Sequence, residues 1–248
     1  MEQVPRVGQG IIDIWSWSLD RSIPEVSRLW DTLSPEETMR ATRFVRERDA
    51  IRFSTARGLM RMILSRYLGI SASAVTLVTG VHGKPEIGPS MRVPLQFNLS
   101  HSADRAILAV CDRFPVGIDI EEIRPISEDV ARHFFSSREC SLLNALPQHE
   151  YMPAFYRCWT RKEAFVKAHG AGLLLPLDSF DVTIAEAGAP RLERLEGDDH
   201  PGDTWTLYNV DVPQGFVGAL AAMTMGHTAQ LRYQSLARVL IQDASLVI

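Results

Sequence analysis

Cysteine is scarce in this chain. The 248 residues include three cysteines, Cys111, Cys140 and Cys158, and no two of them form a CxxC pair. An odd, widely spaced set argues against a disulfide framework and against a cysteine-rich zinc site. We therefore expect the protein to work in a reducing compartment.

Long apolar runs and an excess of positive charge are also missing. The least polar stretch, 215–226, is too short to span a bilayer, and residues 1–6 lack the pattern of a secretory leader. A formal charge of −4 and a pI near 6.0 argue against bulk attraction to nucleic acid or anionic membrane. The prediction is a cytoplasmic protein without a membrane anchor. With 46% hydrophobic residues, the chain can form one large domain or two small lobes.

Helical and strand patterns alternate along the chain, which predicts an α/β (α+β) fold. The predicted helices begin at Ser34 and cover 49–67, 127–135, 137–146 and 155–169. The predicted strands are 12–17, 75–78, 106–111, 116–121, 179–184, 204–212 and 215–223. Residues 80–94 are rich in Gly and Pro and are predicted to be a loop. A turn at 113–115 suggests two lobes, 1–115 and 116–248, whose similar element order hints at a duplication.

A short acidic motif, Val116-Gly117-Ile118-Asp119-Ile120-Glu121, follows that turn. On a strand, residues i and i+2 share a face, so Asp119 and Glu121 would converge while the isoleucines point into the core. Mg²⁺ is held well by one or two carboxylates together with phosphate oxygens and water. Taken alone, the motif is weak evidence, because a solvated edge strand of alternating polarity is the commoner cause of such a pattern.

The predicted helix 155–169 carries Trp159, Glu163 and Lys167 at i, i+4 and i+8, so these residues form one stripe, with Lys162 beside it. Glu163 and Lys167 would then face one site. The alternative is an exposed ion pair on the helix surface, with Trp159 packed in the core.

Eight arginines lie between Arg40 and Arg66, against two acidic residues. Guanidinium groups donate two parallel hydrogen bonds to phosphate, so this block could bind a polyphosphate. A solvated helix face and a nucleic-acid surface remain alternatives. Lys84, on a loop stiffened by Pro85, and His101, between two serines, are further candidate phosphate or base contacts.

Several motifs occur together in the order in which they stand in 4′-phosphopantetheinyl transferases. They are Gly83-Lys84-Pro85, Phe97-Asn98-Leu99-Ser100-His101-Ser102, Val116-Gly117-Ile118-Asp119-Ile120-Glu121 and Trp159-x-x-Lys162-Glu163-Ala164-x-x-Lys167-x-x-Gly170-x-Gly172. The chain resembles the surfactin-type branch of that family over roughly residues 34–182. The resemblance implies two similar lobes related by a pseudo-twofold axis, and a monomer.

By that resemblance, the enzyme would transfer the phosphopantetheine arm of coenzyme A to a serine of an apo carrier protein. The released product would be adenosine 3′,5′-bisphosphate. Three carboxylates would hold Mg²⁺ on the diphosphate: Asp119, Glu121 and Glu163. Lys167 would contact the phosphates and Glu163 would act as the general base. The residues implied for the nucleotide end of coenzyme A are Lys84, Ser100 and His101, with Arg40 and Arg52 on the 3′-phosphate.

One departure from the family pattern is Glu37, where some relatives have a lysine. Two rival hypotheses remain, a noncatalytic coenzyme A-binding module and a nucleic-acid-binding regulator. The resemblance suggests acyl, peptidyl or aryl carrier domains of nonribosomal peptide or polyketide synthases as partners, with a fatty-acid carrier also possible. Because carrier proteins are acidic, Arg57 and Arg61 are candidate docking residues.

Overall fold

The computed structural model describes residues 10–80, 82–127 and 129–237. The first half contains β1 (Ile11–Ser18), α1 (Ile23–Trp30), α2 (Pro35–Ala41), α3 (Glu47–Leu68), β2 (Leu77–Thr79), β3 (Pro85–Ile87), β4 (Gln96–Ser102) and β5 (Arg105–Cys111). The second half contains β6 (Val116–Glu122), α4 (Asp129–Phe134), α5 (Ser137–Asn144), α6 (Gln148–His169), β7 (Phe180–Val182), β8 (Leu192–Leu195), α7 (Pro201–Thr204), β9 (Thr206–Asn209), β10 (Phe216–Ala222) and β11 (Gln230–Gln234).

The same arrangement of elements occurs twice. Each half begins with a strand, continues with three helices, the third of 22 residues, then a two-stranded hairpin and two antiparallel strands. The strand order β1-β5-β4 in one sheet matches β6-β10-β9 in the other. The α/β class and the two similar lobes are thus confirmed.

Strand β11 departs from this repeat. It belongs to the second half of the sequence but pairs in parallel with β1, so the first sheet has the order β11-β1-β5-β4. The two halves are therefore joined by strand pairing as well as by the chain between β5 and β6.

The helices start and stop where local chemistry dictates. Ser34 caps α2 in a capping box with Glu37, and Ser136 caps α5 in the same way with Glu139. Helix α3 ends at Gly69, which adopts a left-handed conformation with φ of 68° that suits glycine.

Three apolar clusters hold the layers together. The first lies between α3 and its sheet, the second between the two sheets, and the third between α6 and the second sheet. Representative residues of the middle cluster are Ile12, Ile107, Ile118 and Leu220, all buried. The isoleucines of the acidic motif thus point into the core, as predicted, and its carboxylates occupy the other side of β6.

The opening strands of the two halves carry different side chains towards their long helices. Trp15 and Trp17 on β1 are buried in the cluster with α3. The same side of β1 carries one carboxylate, Asp13, which accepts a hydrogen bond from Tyr67 of α3. On β6 the side facing α6 carries two carboxylates, Asp119 and Glu121, and no tryptophan.

Several predicted boundaries were wrong. Residues 80–94, predicted to be a loop, include β3 of a hairpin, because β3 pairs with β2. The predicted strand 204–212 shortens to β9 and is preceded by α7. Helix α6 begins at Gln148, seven residues before the predicted start at Phe155, and runs through Pro153.

None of the helices in the described ranges is long and apolar enough to cross a bilayer.

Candidate active site

The edge strands of the two sheets, β4 and β6, lie side by side, and their polar side chains face each other. The Ser100 hydroxyl donates to Asp119 Oδ1 at 2.8 Å, and the Ser102 hydroxyl donates to Glu121 Oε2 at 2.6 Å. The pairs are one i, i+2 step apart on both strands, so both carboxylates stand on one face, as predicted. The first half of the chain thus supplies the serines and the second half the carboxylates.

Helix α6 packs over the place where β4 and β6 meet and adds a positively charged side chain to it. Lys167 Nζ lies 2.5 Å from Asp119 Oδ1 and donates to Ser100 Oγ at 3.1 Å. The close approach of helix to strand depends on Gly117, where a Cβ atom would fall 2.1 Å from the carbonyl oxygen of Ala164.

This geometry excludes the simpler alternative for each of the two motifs. Asp119 is only 3% exposed, so the acidic motif is not a solvated edge strand. Lys167 is paired across elements with Asp119, so it does not form merely a helix-surface pair with Glu163.

The remaining carboxylates are half-buried and electrostatically coupled to this pair. Burial raises the pKa of Glu163, Lys167 lowers it, and the charges of Asp119 and Glu121 raise it further. Burial also raises the pKa of Glu121, while the Ser102 hydrogen bond lowers it and Asp119 raises it. Three carboxylates thus share one lysine, which favours binding of an additional cation.

The residues present fit a magnesium ion. Asp119 Oδ2 is buried and accepts no hydrogen bond from the described residues, so a strong acceptor is left without a partner. The available donors are oxygen atoms, which Mg²⁺ prefers, and it needs only one or two protein carboxylates when phosphate and water complete its shell. No group of three His, Cys, Asp or Glu side chains within the described ranges forms a ready-made metal cluster. The trio Asp119, Glu121 and Glu163 therefore stays a prediction.

A cavity of about 600 Å³ opens beside these residues. Glu163, Lys167 and Lys84 provide charge on its wall, while Phe134 and Trp159 provide aromatic surface. Its other lining residues are His82, Gly83, Pro85, Asn98, Leu99, His133, Val166, Gly170, Gly172, Leu175, Pro176, Leu177 and Asp178. The cavity wall therefore combines charged and apolar side chains.

Lys84 is held at the cavity wall by carbonyl groups. Its Nζ donates to the carbonyl oxygens of Val116 at 2.8 Å and Lys167 at 3.0 Å. Burial lowers the pKa of Lys84 to about 8. An anion arriving beside this amine would stabilise its charged form.

His101 follows Ser100 on β4 and points the other way, to the exposed side. Partial burial lowers the pKa of its imidazole, and the nearby cations Lys167 and Arg57 lower it further. The imidazole of His101 is thus influenced both by Lys167 of the carboxylate site and by Arg57 of the arginine block.

The arginine block divides into distinct environments. The Arg40 and Arg57 guanidinium groups lie 5.2 and 6.0 Å from the centre of the Phe53 ring. Arg52 instead forms two hydrogen bonds to Asp20, at 2.8 and 3.1 Å.

The docking role predicted for Arg61 was wrong. Arg61 is 3% exposed, contacts Glu37 at 2.5 Å and donates to the Val75 carbonyl at 2.8 Å. It cannot meet a protein partner at the surface. Its ion pair also explains Glu37, the departure from the family pattern, as a capping residue and internal counter-ion.

Sequence reasoning gave no role to Ser102, although the signal was present. Ser100 and Ser102 have the same i, i+2 spacing as Asp119 and Glu121. The role of Lys162 was also missed, because nothing in the sequence distinguishes its fully buried ammonium group from the partly buried one of Lys167.

Comparisons with known proteins agree with the motifs. A family model described as "4'-phosphopantetheinyl transferase superfamily" matches residues 115–221, and another described as "4'-phosphopantetheinyl transferase, N-terminal" matches residues 16–113. A solved structure, the holo-[acyl-carrier-protein] synthase of Thermotoga maritima, is 22% identical with a TM-score of 0.35, covering 48% of this chain and 66% of that one. That likeness is too remote to carry an argument.

Two curated relatives align with most of the chain. The 4'-phosphopantetheinyl transferase HetI of Nostoc sp. is 34% identical over 218 residues, which cover 87% of this chain and 89% of HetI. The 4'-phosphopantetheinyl transferase Sfp of Bacillus subtilis is 36% identical over 200 residues, covering 80% of this chain and 87% of Sfp. The chain therefore belongs to the 4′-phosphopantetheinyl transferase superfamily of enzymes.

Proposed function

We propose that this enzyme, acting as a monomer in the cytoplasm, transfers the phosphopantetheine arm of coenzyme A to a serine hydroxyl of an apo carrier protein. The serine oxygen forms a new bond to the β-phosphorus, and the bond from that phosphorus to the bridging oxygen breaks, which releases adenosine 3′,5′-bisphosphate. The observation that carries the proposal is the convergence of Asp119, Glu121, Glu163 and Lys167, of which Glu163 and Lys167 line the cavity.

Lys167 is suited to the charge that develops in this reaction. Negative charge grows on the phosphate oxygens and on the leaving oxygen, and a fixed cation stabilises it. Ser100 and Asp119 hold the Lys167 ammonium group in place before substrate arrives. Little reorganisation is then needed during the reaction.

Asp119, Glu121 and Glu163 would hold Mg²⁺. When bound, the ion neutralises the diphosphate and makes its phosphorus a better electrophile. The partnerless Asp119 Oδ2 is the first ligand we assign.

Glu163 would also accept the proton of the carrier serine, directly or through a water molecule. Burial and the two neighbouring carboxylates raise its pKa, which makes it a stronger base than a solvated glutamate. A cation bound to the same carboxylate would reduce that basicity. Metal binding is thus the primary role, and proton transfer the secondary one.

The nucleotide end of coenzyme A would lie along Lys84, Ser100 and His101. For the 3′-phosphate we assign Arg40 and Arg52. Arg52 must exchange its partner Asp20 for the phosphate.

Arg57 is a further candidate for the 3′-phosphate, because it shares the Phe53 ring with Arg40. It also remains a candidate for docking the acidic carrier, since its side chain is 19% exposed, against 3% for Arg61. If Arg57 binds the 3′-phosphate, reversal of its charge would raise KM for coenzyme A. If Arg57 docks the carrier, the same change would raise KM for the carrier alone.

The decisive experiment is the intact mass of apo carrier proteins after incubation with this enzyme, coenzyme A and magnesium. We expect a gain of one phosphopantetheine that chelator abolishes. The panel should include peptidyl, aryl and acyl carrier domains.

Matched variants of neighbouring residues sharpen the test. Glu121→Gln removes a carboxylate from the site, and we expect kcat/KM to fall by ~10²-fold or more. Glu122→Gln changes the next residue of β6, whose carboxylate pairs with Arg124, and should stay within about twofold of wild type. Equal loss in both variants would contradict the assignment. Coenzyme A binding without transfer to any carrier would instead favour the noncatalytic module.

A further inference from the structure

The structure contains two buried ion pairs at equivalent places in the two halves. In the first half the capping-box residue Glu37 contacts Arg61 of α3, and in the second half the capping-box residue Glu139 contacts Lys162 of α6 at 2.7 Å. Arg61 and Lys162 occupy the same position in the two 22-residue helices. The repeat therefore preserves an internal carboxylate and cation as well as the backbone.

Lys162 has no hydrogen left to offer a substrate. Its ammonium group is fully buried and donates to the carbonyl oxygens of Leu177 at 2.6 Å and Phe180 at 2.5 Å, in addition to Glu139. These three contacts use its three N–H groups. Direct phosphate binding by Lys162 is thus ruled out by geometry.

Glu139 is equally committed. Its Oε1 accepts from the Val182 amide at 2.9 Å, and its Oε2 accepts from the Ser136 amide at 3.0 Å and from Lys162. The pair ties together the start of α5, the middle of α6 and the segment 177–182. Buried ion pairs of this kind are weak evidence for stability by themselves, because desolvation offsets most of the attraction.

The two pairs hold different segments. Lys162 holds a segment that continues into the cavity wall, since Leu175, Pro176, Leu177 and Asp178 all line the cavity with Glu163. Arg61 donates to the carbonyls of Ala72 and Val75, and the described lining of the cavity includes none of residues 72–75.

We infer that the Glu139–Lys162 pair is a positioning device for transfer: it fixes the 175–180 wall against α6, next to Glu163. The Glu37–Arg61 pair is its structural counterpart without that role. This inference rests on the proposed function, because it assigns the pair to the same cavity.

The test compares Lys162→Met with Arg61→Met, and adds the double variant Glu139→Gln/Lys162→Met. Lys162→Met leaves the buried Glu139 carboxylate without its cation, and Arg61→Met leaves Glu37 with Arg57 alone, at 3.5 Å, so both variants should unfold at lower urea concentration. After correction for the folded fraction by circular dichroism, we expect kcat/KM for transfer to fall ~10–100-fold in Lys162→Met, because small misplacements near reacting groups are costly. Arg61→Met should stay within about twofold of wild type.

The double variant separates positioning from stability. Removing both charges should restore much of the resistance to urea while transfer stays slow. Hydrogen exchange gives a readout that does not depend on activity. The amides of residues 177–182 should exchange at least ~10-fold faster in Lys162→Met and in the double variant, and their exchange rate should be unchanged in Arg61→Met.

Three results would overturn the inference. They are full transfer activity in the double variant, equal slowing in Lys162→Met and Arg61→Met, and unchanged exchange of residues 177–182. A wild-type enzyme that modifies no carrier would contradict the proposed function instead, and the exchange comparison would still decide whether Lys162 holds the wall.

Discussion

At the residue scale, the contact that we propose between Lys84 and coenzyme A would make substrate binding sensitive to pH. Burial places the pKa of its amine at about 8 in the free protein, and a bound phosphate favours the protonated form. Its proposed contribution to coenzyme A binding would therefore be present below about pH 8 and lost as the pH rises. We expect Kd for coenzyme A to rise by up to ~10-fold per pH unit above that value.

Isothermal titration between pH 7 and 9 measures this dependence. Lys84→Met should bind coenzyme A more weakly and lose most of the pH dependence. A slope that survives in Lys84→Met would mean that another group titrates in this range.

Residue types and spacings were enough to predict that Asp119 and Glu121 share one face and that Glu163 and Lys167 share another, because strand and helix periodicities fix which side chains lie together. That the two pairs meet was implied only by the resemblance to the family. Burial was harder to predict. Arg61 and Lys162 are buried although their residue types are usually exposed, and only the three-dimensional structure supplies the carboxylates and carbonyl groups that make this possible. The sequence therefore predicts the chemistry of the site better than it predicts the groups that support it.

At the element scale, the contact of α6 with β6 depends on a missing side chain. In Gly117→Ala the new methyl group would fall 2.1 Å from Ala164 O and 2.3 Å from the Ala168 amide nitrogen. Both are backbone atoms, so the helix itself would have to move. We expect a loss of roughly 1–3 kcal/mol in the free energy of unfolding, with a larger loss of transfer, because Glu163 and Lys167 move with the helix.

Urea denaturation and the carrier assay test this prediction. Gly202→Ala is the matched control, since no atom lies within 4 Å of its new methyl group. Wild-type activity in Gly117→Ala would show that α6 can shift without disturbing the site.

Elements with strong local signals were predicted well, including α3 with its Gly69 stop and the strands β1, β5 and β6. Short strands whose stability comes from a distant partner were not. β11 alternates polar and apolar residues over 230–234, but its partner β1 lies more than two hundred residues away, and nothing local identifies that pairing. β3 was hidden for a similar reason, in a stretch whose Gly and Pro content indicated a loop.

At the scale of the whole molecule, β11 fastens the second half to the first through a buried carboxylate. Asp13 on β1 is fully buried and accepts from Arg232 at 2.6 and 2.9 Å and from Gln234 at 2.9 Å. Tyr67 of α3 donates to the same carboxylate at 2.7 Å. The two halves should therefore unfold together.

Arg232→Met should lower the free energy of unfolding by about 1–3 kcal/mol, because it leaves the buried Asp13 charge with only neutral donors. The control, Arg138→Met, removes an exposed pair with Glu193 and should cost under about 1 kcal/mol. Guanidinium denaturation followed by tryptophan fluorescence measures both. Equally small losses in the free energy of unfolding would mean that hydrogen bonds from Gln234 and Tyr67 stabilise the Asp13 carboxylate without the guanidinium group.

The tryptophans of β1 mark a difference in function between the two halves of the chain. On β1, Trp15 and Trp17 present indole rings to the cluster with α3, beside the single carboxylate of Asp13, whereas β6 presents two carboxylates, Asp119 and Glu121, on the side that faces α6. Under the proposed function, the polypeptide would resemble a covalent dimer that has a single active site. Under that function, the first half supplies Ser100, Lys84 and the arginines to that site, and its surface away from these residues can change to suit a partner without removing a catalytic carboxylate.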